Sequence, residues 1–355
     1  MELSQSPNTQ ELVDLHARAT KGDLEATLHL FAALDRGGRD QEALTWLLQL
    51  ARGGHLPSAT LLGERLITGF KAPQRPTDGA QWIEAAAKAG LAEAQRRVCV
   101  LAATGIGRKQ SWSEAWAALQ AAAKNGHAAS ATQFRVFETM GITGPADIEK
   151  FLQPIPAETR LASPRIAITE KLFPEIMCRW LMESARPKLH RAPVFDPGGG
   201  SRAHDIRTNA SAGFTLFETD LVFQVARARV AVAVGAPLLH QEPPQVLHYA
   251  PGERYTPHWD YFDPSVAAFR QQIEWGGQRI RTALVYLNDG FEGGETGFPK
   301  LETRFKAGAG GLLAFDNVTP DGKIDPRTLH EGRATTSGEK WLLSVWVRDR
   351  EHVPA

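Results

Sequence analysis

The sequence predicts a multidomain α + β chain: an N-terminal α/α solenoid of stacked helix pairs, then an antiparallel β-sandwich or jelly roll with flanking helices. Three observations predict it. Gly22, Gly54, Gly90 and Gly126 recur at separations of 32, 36 and 36 residues within an alanine-rich first third. After Pro244 the apolar residues fall into short runs bounded by Gly, Pro and Asp, as β-strands do. Between these textures, Gly141 to Pro164 carries Pro145, Pro154, Pro156 and Pro164. The expected organisation is therefore helical repeats over 1–140, a linker over 141–164 and a second domain over 165–350.

Each repeat glycine has Ala three positions before it (Ala19, Ala51, Ala87, Ala123) and a small residue four after it (Ala26, Ser58, Ala94, Ser130). Ala-x-x-Gly reads as a helix end whose glycine takes the left-handed conformation that a β-carbon disfavours. A second helix starts directly afterwards, and small residues on both sides of the turn let the two cross closely. Trp46, Trp82 and Trp116 then fill grooves between pairs. Such a pair cannot bury its apolar stripe alone, so several must stack. The unit resembles the Sel1-like repeat, a relative of the tetratricopeptide repeat, over about Gly22 to Val136. That resemblance implies a protein-interaction scaffold without chemistry of its own.

In the second half, Ile168 to Arg186 has helical spacing, as does Thr219 to Gly235, with Leu221, Val225, Ala228 and Val232 on one stripe. Strands are expected at Gln245 to Tyr249, Arg281 to Leu287, Gly311 to Phe315 and Trp341 to Val347. Ala307 to Gly311 lacks the lysine of a phosphate loop and reads as a hairpin turn.

Forty Lys plus Arg balance forty Asp plus Glu, so no field draws the chain onto nucleic acid or an anionic membrane. The N-terminus shows no basic segment followed by an apolar stretch, and no apolar run approaches the ~20 residues needed to cross a bilayer. Cys99 and Cys178 are too few for a disulfide framework or a thiolate metal cage. A start near Met1 and a cytoplasmic location are expected.

The chemistry is carried by His258-Trp259-Asp260 and, 72 residues later, His330. In an extended strand residues i and i+2 point the same way, so His258 and Asp260 can both reach one metal ion. Two imidazoles and a carboxylate on one face of an octahedron leave three positions open, the arrangement of non-heme Fe(II) oxygenases. Ten residues past His330, Lys340 opens an apolar strand. Its ammonium could pair with the far carboxylate of a dicarboxylate whose other end chelates iron, whereas the ordinary role of a lysine there is a solvated strand end.

With the segments Gln245-Val246-Leu247-His248-Tyr249, Tyr255-Thr256-Pro257-His258-Trp259-Asp260, Gly293-Gly294-Glu295-Thr296-Gly297, Leu329-His330-Glu331-Gly332, Gly338-Glu339-Lys340-Trp341 and Trp346 in order, residues Arg165 to Asp349 resemble the catalytic domain of prolyl 4-hydroxylase-type 2-oxoglutarate and Fe(II)-dependent dioxygenases. The resemblance implies a double-stranded β-helix, with His258, Asp260 and His330 on iron and Lys340 on the distal carboxylate of 2-oxoglutarate. Tyr249 either gives a hydroxyl to the cosubstrate pocket or is an ordinary core tyrosine. Trp346 shares Lys340's strand face by parity and either walls the iron site or is simple core. Fe(II), 2-oxoglutarate, O2 and L-ascorbate are the implied cofactors and cosubstrates. A peptidyl proline or other side chain of a protein partner, recruited through the repeats, is the implied substrate. Asp196 to Gly213 stands where relatives carry a mobile loop over the substrate. Two competing readings are a metal-dependent hydrolase, opposed by Lys340, and an interaction scaffold with an inactive oxygenase domain, opposed by the presence of all four site residues.

Overall fold

The computed structural model describes residues 9–192 and 207–351 and divides into two compact units between Thr132 and Gln133.

The first unit is built of helices that each pack on the next: α1 (Thr9–Ala19), α2 (Leu24–Arg36), α3 (Asp40–Arg52), α4 (Leu56–Thr68), α5 (Pro76–Lys88), α6 (Ala92–Thr104) and α7 (Trp112–Lys124). Helix α8 (Ala128–Thr139) spans the division. Gly22, Gly54, Gly90 and Gly126 all have φ between 85° and 95°, the left-handed conformation expected of them. At each of the four turns the next residue's N–H reaches back to a helix carbonyl five residues earlier, as in Asp23 to Arg18 and His55 to Leu50. That next residue then opens the following helix. The Asp23 carboxylate accepts from the Ala26 N–H, and His55 and His127 do the same through Nδ1 for Ser58 and Ser130. Ala26, Ser58, Ala94 and Ser130 are buried, as are Trp46 and Trp116, while Trp82 is half-buried beside fully buried Ile83.

In the second unit the strands are β1 (Glu158–Ala162), β2 (Arg165–Thr169), β3 (His190–Arg191), β4 (Ala210–Gly213), β5 (Gln245–Tyr249), β6 (Tyr255–His258), β7 (Arg279–Tyr286), β8 (Glu292–Gly293), β9 (Thr296–Phe298), β10 (Thr303–Phe305), β11 (Leu312–Asp316), β12 (His330–Gly332), β13 (Thr335–Ser337) and β14 (Lys340–Arg348). They pair antiparallel in a large sheet of order β1-β2-β11-β7-β14-β5-β4-β3 and a smaller one of order β10-β9-β12-β6, with β13-β8 as a separate pair. Apolar side chains from both sheets, among them Leu284, Leu313, Phe315 and Phe298, fill the core of this jelly roll.

Several local expectations change. The helix expected from Ile168 begins only at Glu175, as α9 (Glu175–Ala185), and Arg165–Thr169 is a strand instead. Ile166 to Thr169 are all buried, so their apolar run belongs to a covered strand rather than to a helix face. Pro174, which cannot donate within a helix, sits at the N-cap. Helix Leu221–Val234 is present, but Val232 is 37% exposed while Leu221 through Ala231 are buried on every side. Ala307 to Gly311 is no hairpin turn: it carries the chain from β10 in the smaller sheet to β11 in the larger one. A further helix, Ala267–Gly276, interrupts the strands between Asp260 and β7.

Candidate active site

The smaller sheet sets the first two candidate ligands. His258 ends β6 and His330 opens β12, and the two are direct register partners. Asp260 follows two residues after His258, while Trp259 between them is 43% exposed on the opposite side. His258 Nε2 lies 3.7 Å from Asp260 Oδ1, and His330 Nε2 lies 3.4 Å from Asp260 Oδ2. All three ligand atoms fall within 4.8 Å of one another, and among the described residues no other group of His, Cys, Asp and Glu is placed to hold a metal.

The imidazoles are oriented from behind. His258 Nδ1 pairs with the Thr256 carbonyl at 2.8 Å and His330 Nδ1 with the Thr328 carbonyl at 3.1 Å. A carbonyl only accepts, so each Nδ1 carries the proton and each Nε2 keeps its lone pair for a metal. Tyr255 stacks on His258 with ring centroids 3.5 Å apart. Burial, then the neighbouring His330, pushes the His258 imidazole down to about 3, so it is neutral at pH 7. Burial opposes ionisation of Asp260, but His330, His258, Arg279 and the Thr282 hydroxyl outweigh it and hold the carboxyl at about 2. Neutral imidazoles and an ionised carboxylate are the protonation states that a divalent cation requires, and two nitrogens with one oxygen suit Fe(II).

A cleft is lined by these three residues and also by Arg207, Tyr249, Tyr255, Lys340 and Trp346. Lys340 is fully buried. Its ammonium donates to the Gly294 carbonyl at 2.6 Å and lies 4.8 Å from the Tyr249 ring centroid. Burial, and secondarily Lys306, pushes its pKa down to about 7. A buried cation facing a cleft without a carboxylate bonded to it is chemically matched to an incoming anion. Tyr249 is the cross-strand partner of Lys340 and is 2% exposed. Trp346 is half-buried, with its indole Nε1 unpartnered and the Arg279 guanidinium stacked 4.2 Å from its ring. All six residues singled out from the sequence therefore meet at one cleft. Of the expected substrate loop, 196–206 lies outside the described residues, while Arg207 joins the cleft and Ala210–Gly213 is strand β4.

Supporting residues were not found by sequence reasoning. Glu242 makes a two-pronged pair with Arg279 at 2.6 and 2.7 Å, and also bonds Arg348. Thr282 and Asn317 stand behind Asp260. Tyr286, beneath Lys340, bonds Thr296. Parity along β7 would have placed Thr282 and Leu284 on one face, but only the strand order brings that face under Asp260.

The chain is similar to known proteins over both of its parts. A model of the 2OG-Fe(II) oxygenase superfamily matches residues 244–348. The probable prolyl 4-hydroxylase 10 of Arabidopsis thaliana is 34% identical over 209 residues, covering 53% of this chain and 70% of the relative. A putative prolyl 4-hydroxylase of Acanthamoeba polyphaga mimivirus is 40% identical over 185 residues, covering 52% and 74%. Among solved structures, the viral collagen prolyl hydroxylase of Paramecium Bursaria Chlorella virus-1 matches at 24% identity and a TM-score of 0.39, covering 51% of this chain and 94% of that one. A Sel1 repeat protein from Oxalobacter formigenes matches at 28% identity and a TM-score of 0.33, covering 36% and 98%.

Proposed function

Because the chain belongs to the prolyl 4-hydroxylase family of 2-oxoglutarate- and Fe(II)-dependent dioxygenases, we propose that it hydroxylates a peptidyl proline, or another side chain of a protein partner, at the cleft around His258. The observation that carries this reading is the shared cleft: a cluster of two imidazoles and a carboxylate within 4.8 Å of one another, with a buried lysine lining the same space.

His258, Asp260 and His330 would hold the iron through two Nε2 atoms and one carboxylate oxygen. When bound, Fe(II) together with O2 and 2-oxoglutarate supplies the oxidising power that turns a C–H bond into C–OH, with succinate and CO2 as the other products. The chain's own share is placement and exclusion of water. Lys340 holds the distal carboxylate of 2-oxoglutarate, Tyr249 offers its hydroxyl to the same cosubstrate, and Trp346 walls the metal side of the cleft. L-Ascorbate would serve as an accessory reductant. The oxygenase domain is assigned to 165–350, with strand β1 (Glu158–Ala162) of the expected 141–164 linker paired into its large sheet, and the helical repeats of 1–140 recruit the protein substrate. A cytoplasmic location is part of this reading, drawn from a sequence with only two cysteines; among the described residues no helix is long and apolar enough to cross a membrane.

The test is mass spectrometry of a proline-rich peptide incubated with the Fe(II)-loaded chain, 2-oxoglutarate and ascorbate. Addition of one oxygen atom to a proline, absent with His258→Ala, is expected. Cosubstrate turnover without any modified peptide would reject that peptide class and keep the oxygenase.

A further inference from the structure

Asp260 is held by a hydrogen-bond chain that can run in only one direction. Thr282, on β7, is fully buried between its register partners Phe315 and Trp346. Its hydroxyl lies 2.6 Å from Asp260 Oδ2. An ionised carboxylate only accepts, so the single hydroxyl proton points at Asp260. The Asn317 Nδ2 lies 3.0 Å from the same hydroxyl and donates to the lone pair left over. The order amide, hydroxyl, carboxylate is therefore forced at both joints. Asn317 is itself pinned by its backbone, which donates to the Ile280 carbonyl at 2.8 Å and accepts from the Asp325 N–H at 3.0 Å.

This chain carries a cost. The Asn317 Oδ1 is buried and finds no partner in the structure, which a cluster serving stability alone would avoid. What it secures is the attitude of one carboxylate. Both carboxylate oxygens lie near an imidazole, Oδ2 3.4 Å from His330 Nε2 and Oδ1 3.7 Å from His258 Nε2; with Oδ2 tied to Thr282 by a short charge-assisted bond, Oδ1 is the oxygen whose lone pairs are not taken by a hydrogen bond.

We propose that Thr282 is a positioning residue that, backed by Asn317, fixes Asp260 so that Oδ1 is its metal-facing oxygen. The inference rests on the metal-site reading above. It is tested by titrating Mn(II) into the full-length chain and recording both the dissociation constant and the Mn(II) electron paramagnetic resonance spectrum. Thr282→Val keeps the side chain's shape and removes the hydroxyl, whereas Thr282→Ser keeps the hydroxyl. The expected result is about 10–100-fold weaker binding and an altered spectrum for Thr282→Val, with affinity and spectrum restored in Thr282→Ser. Wild-type affinity and spectrum in Thr282→Val would overturn the proposal. So would equal losses in both variants with lowered melting temperatures, which would mark a packing role. If the wild-type chain bound Mn(II) no better than His258→Ala, the metal site itself would fall, and this proposal with it.

Discussion

Lys340 and Tyr249 face each other as direct partners on adjacent antiparallel strands, with the ammonium 4.8 Å from the ring centroid and no solvent on either group. The pairing buries a cation against an aromatic face at the inner end of the cleft and leaves a carbonyl oxygen, that of Gly294, as its hydrogen-bond acceptor. An anion arriving there completes the charge.

The pH dependence of cosubstrate binding follows. Burial brings Lys340 to about 7, so below that pH the site is already cationic and above it a proton must be taken up with the anion. The dissociation constant of 2-oxoglutarate is expected to be flat below pH 7 and to rise by up to about tenfold per pH unit above it. Calorimetry in two buffers of different ionisation enthalpy should show proton uptake at pH 8. Lys340→Arg, which stays charged, should remove the slope, and a slope kept in that variant would assign it to another group.

Losing one imidazole should cost more than losing a supporting contact. His330→Ala is expected to weaken Fe(II) binding by about a hundredfold or more, with little change in fold, because the site is at the end of a short strand. Anaerobic Fe(II) titration followed by circular dichroism of the same sample checks both halves of that statement.

Glu242 neutralises Arg279 and Arg348 in a setting where each guanidinium is largely covered. Glu242→Gln leaves two cations in one buried cluster with no carboxylate between them, at an expected cost of about 3–5 kcal/mol. Burial works against the Glu242 carboxylate, yet the two arginines hold its pKa below the usual glutamate value. Its contribution is therefore present above the unfolded-state pKa and lost as the pH falls through the folded one. Urea denaturation at neutral and acidic pH should show the wild-type advantage over Glu242→Gln shrinking as acid is added.

In the helical unit, Gly63 and Gly79 let α4 and α5 approach closely. A β-carbon at Gly79 would lie 2.5 Å from the Gly63 carbonyl oxygen, so Gly79→Ala must push backbone apart. A loss of about 1–3 kcal/mol is expected, read as an earlier denaturation transition for the helical signal. An unshifted transition would show that the pair can separate freely.

How much of this was readable in the chain itself depends on distance along it. The repeat turns were legible because a left-handed glycine, the alanine before it and the small residue after it lie within a few positions of one another. The candidate cluster of His258, Asp260 and His330 with Lys340 was legible because alternation along a strand places His258 with Asp260, and Lys340 with Trp346, on one side, and because these residues fall in segments that resemble the prolyl 4-hydroxylase family in order. Thr282 was not, since its partners Asp260 and Asn317 lie 22 and 35 residues away and meet it only through the sheet order. The pairing of Glu242 with Arg348 spans 106 residues and has no local signature. The helix expected from Ile168 started too early because Ile166 to Thr169 are buried on both faces and show no alternation, so nothing local marked Ile168 and Thr169 as the end of a strand.

The most direct measurement is succinate formation from 2-oxoglutarate by anaerobically prepared, Fe(II)-loaded chain after admission of O2, beside His258→Ala and Lys340→Ala. Iron-dependent succinate formation by the wild type, absent in His258→Ala and strongly reduced at low cosubstrate in Lys340→Ala, is the predicted result. Equal silence of all three, with iron and 2-oxoglutarate shown to be bound by the wild type, would contradict an active dioxygenase and favour a scaffold built on an inactive one.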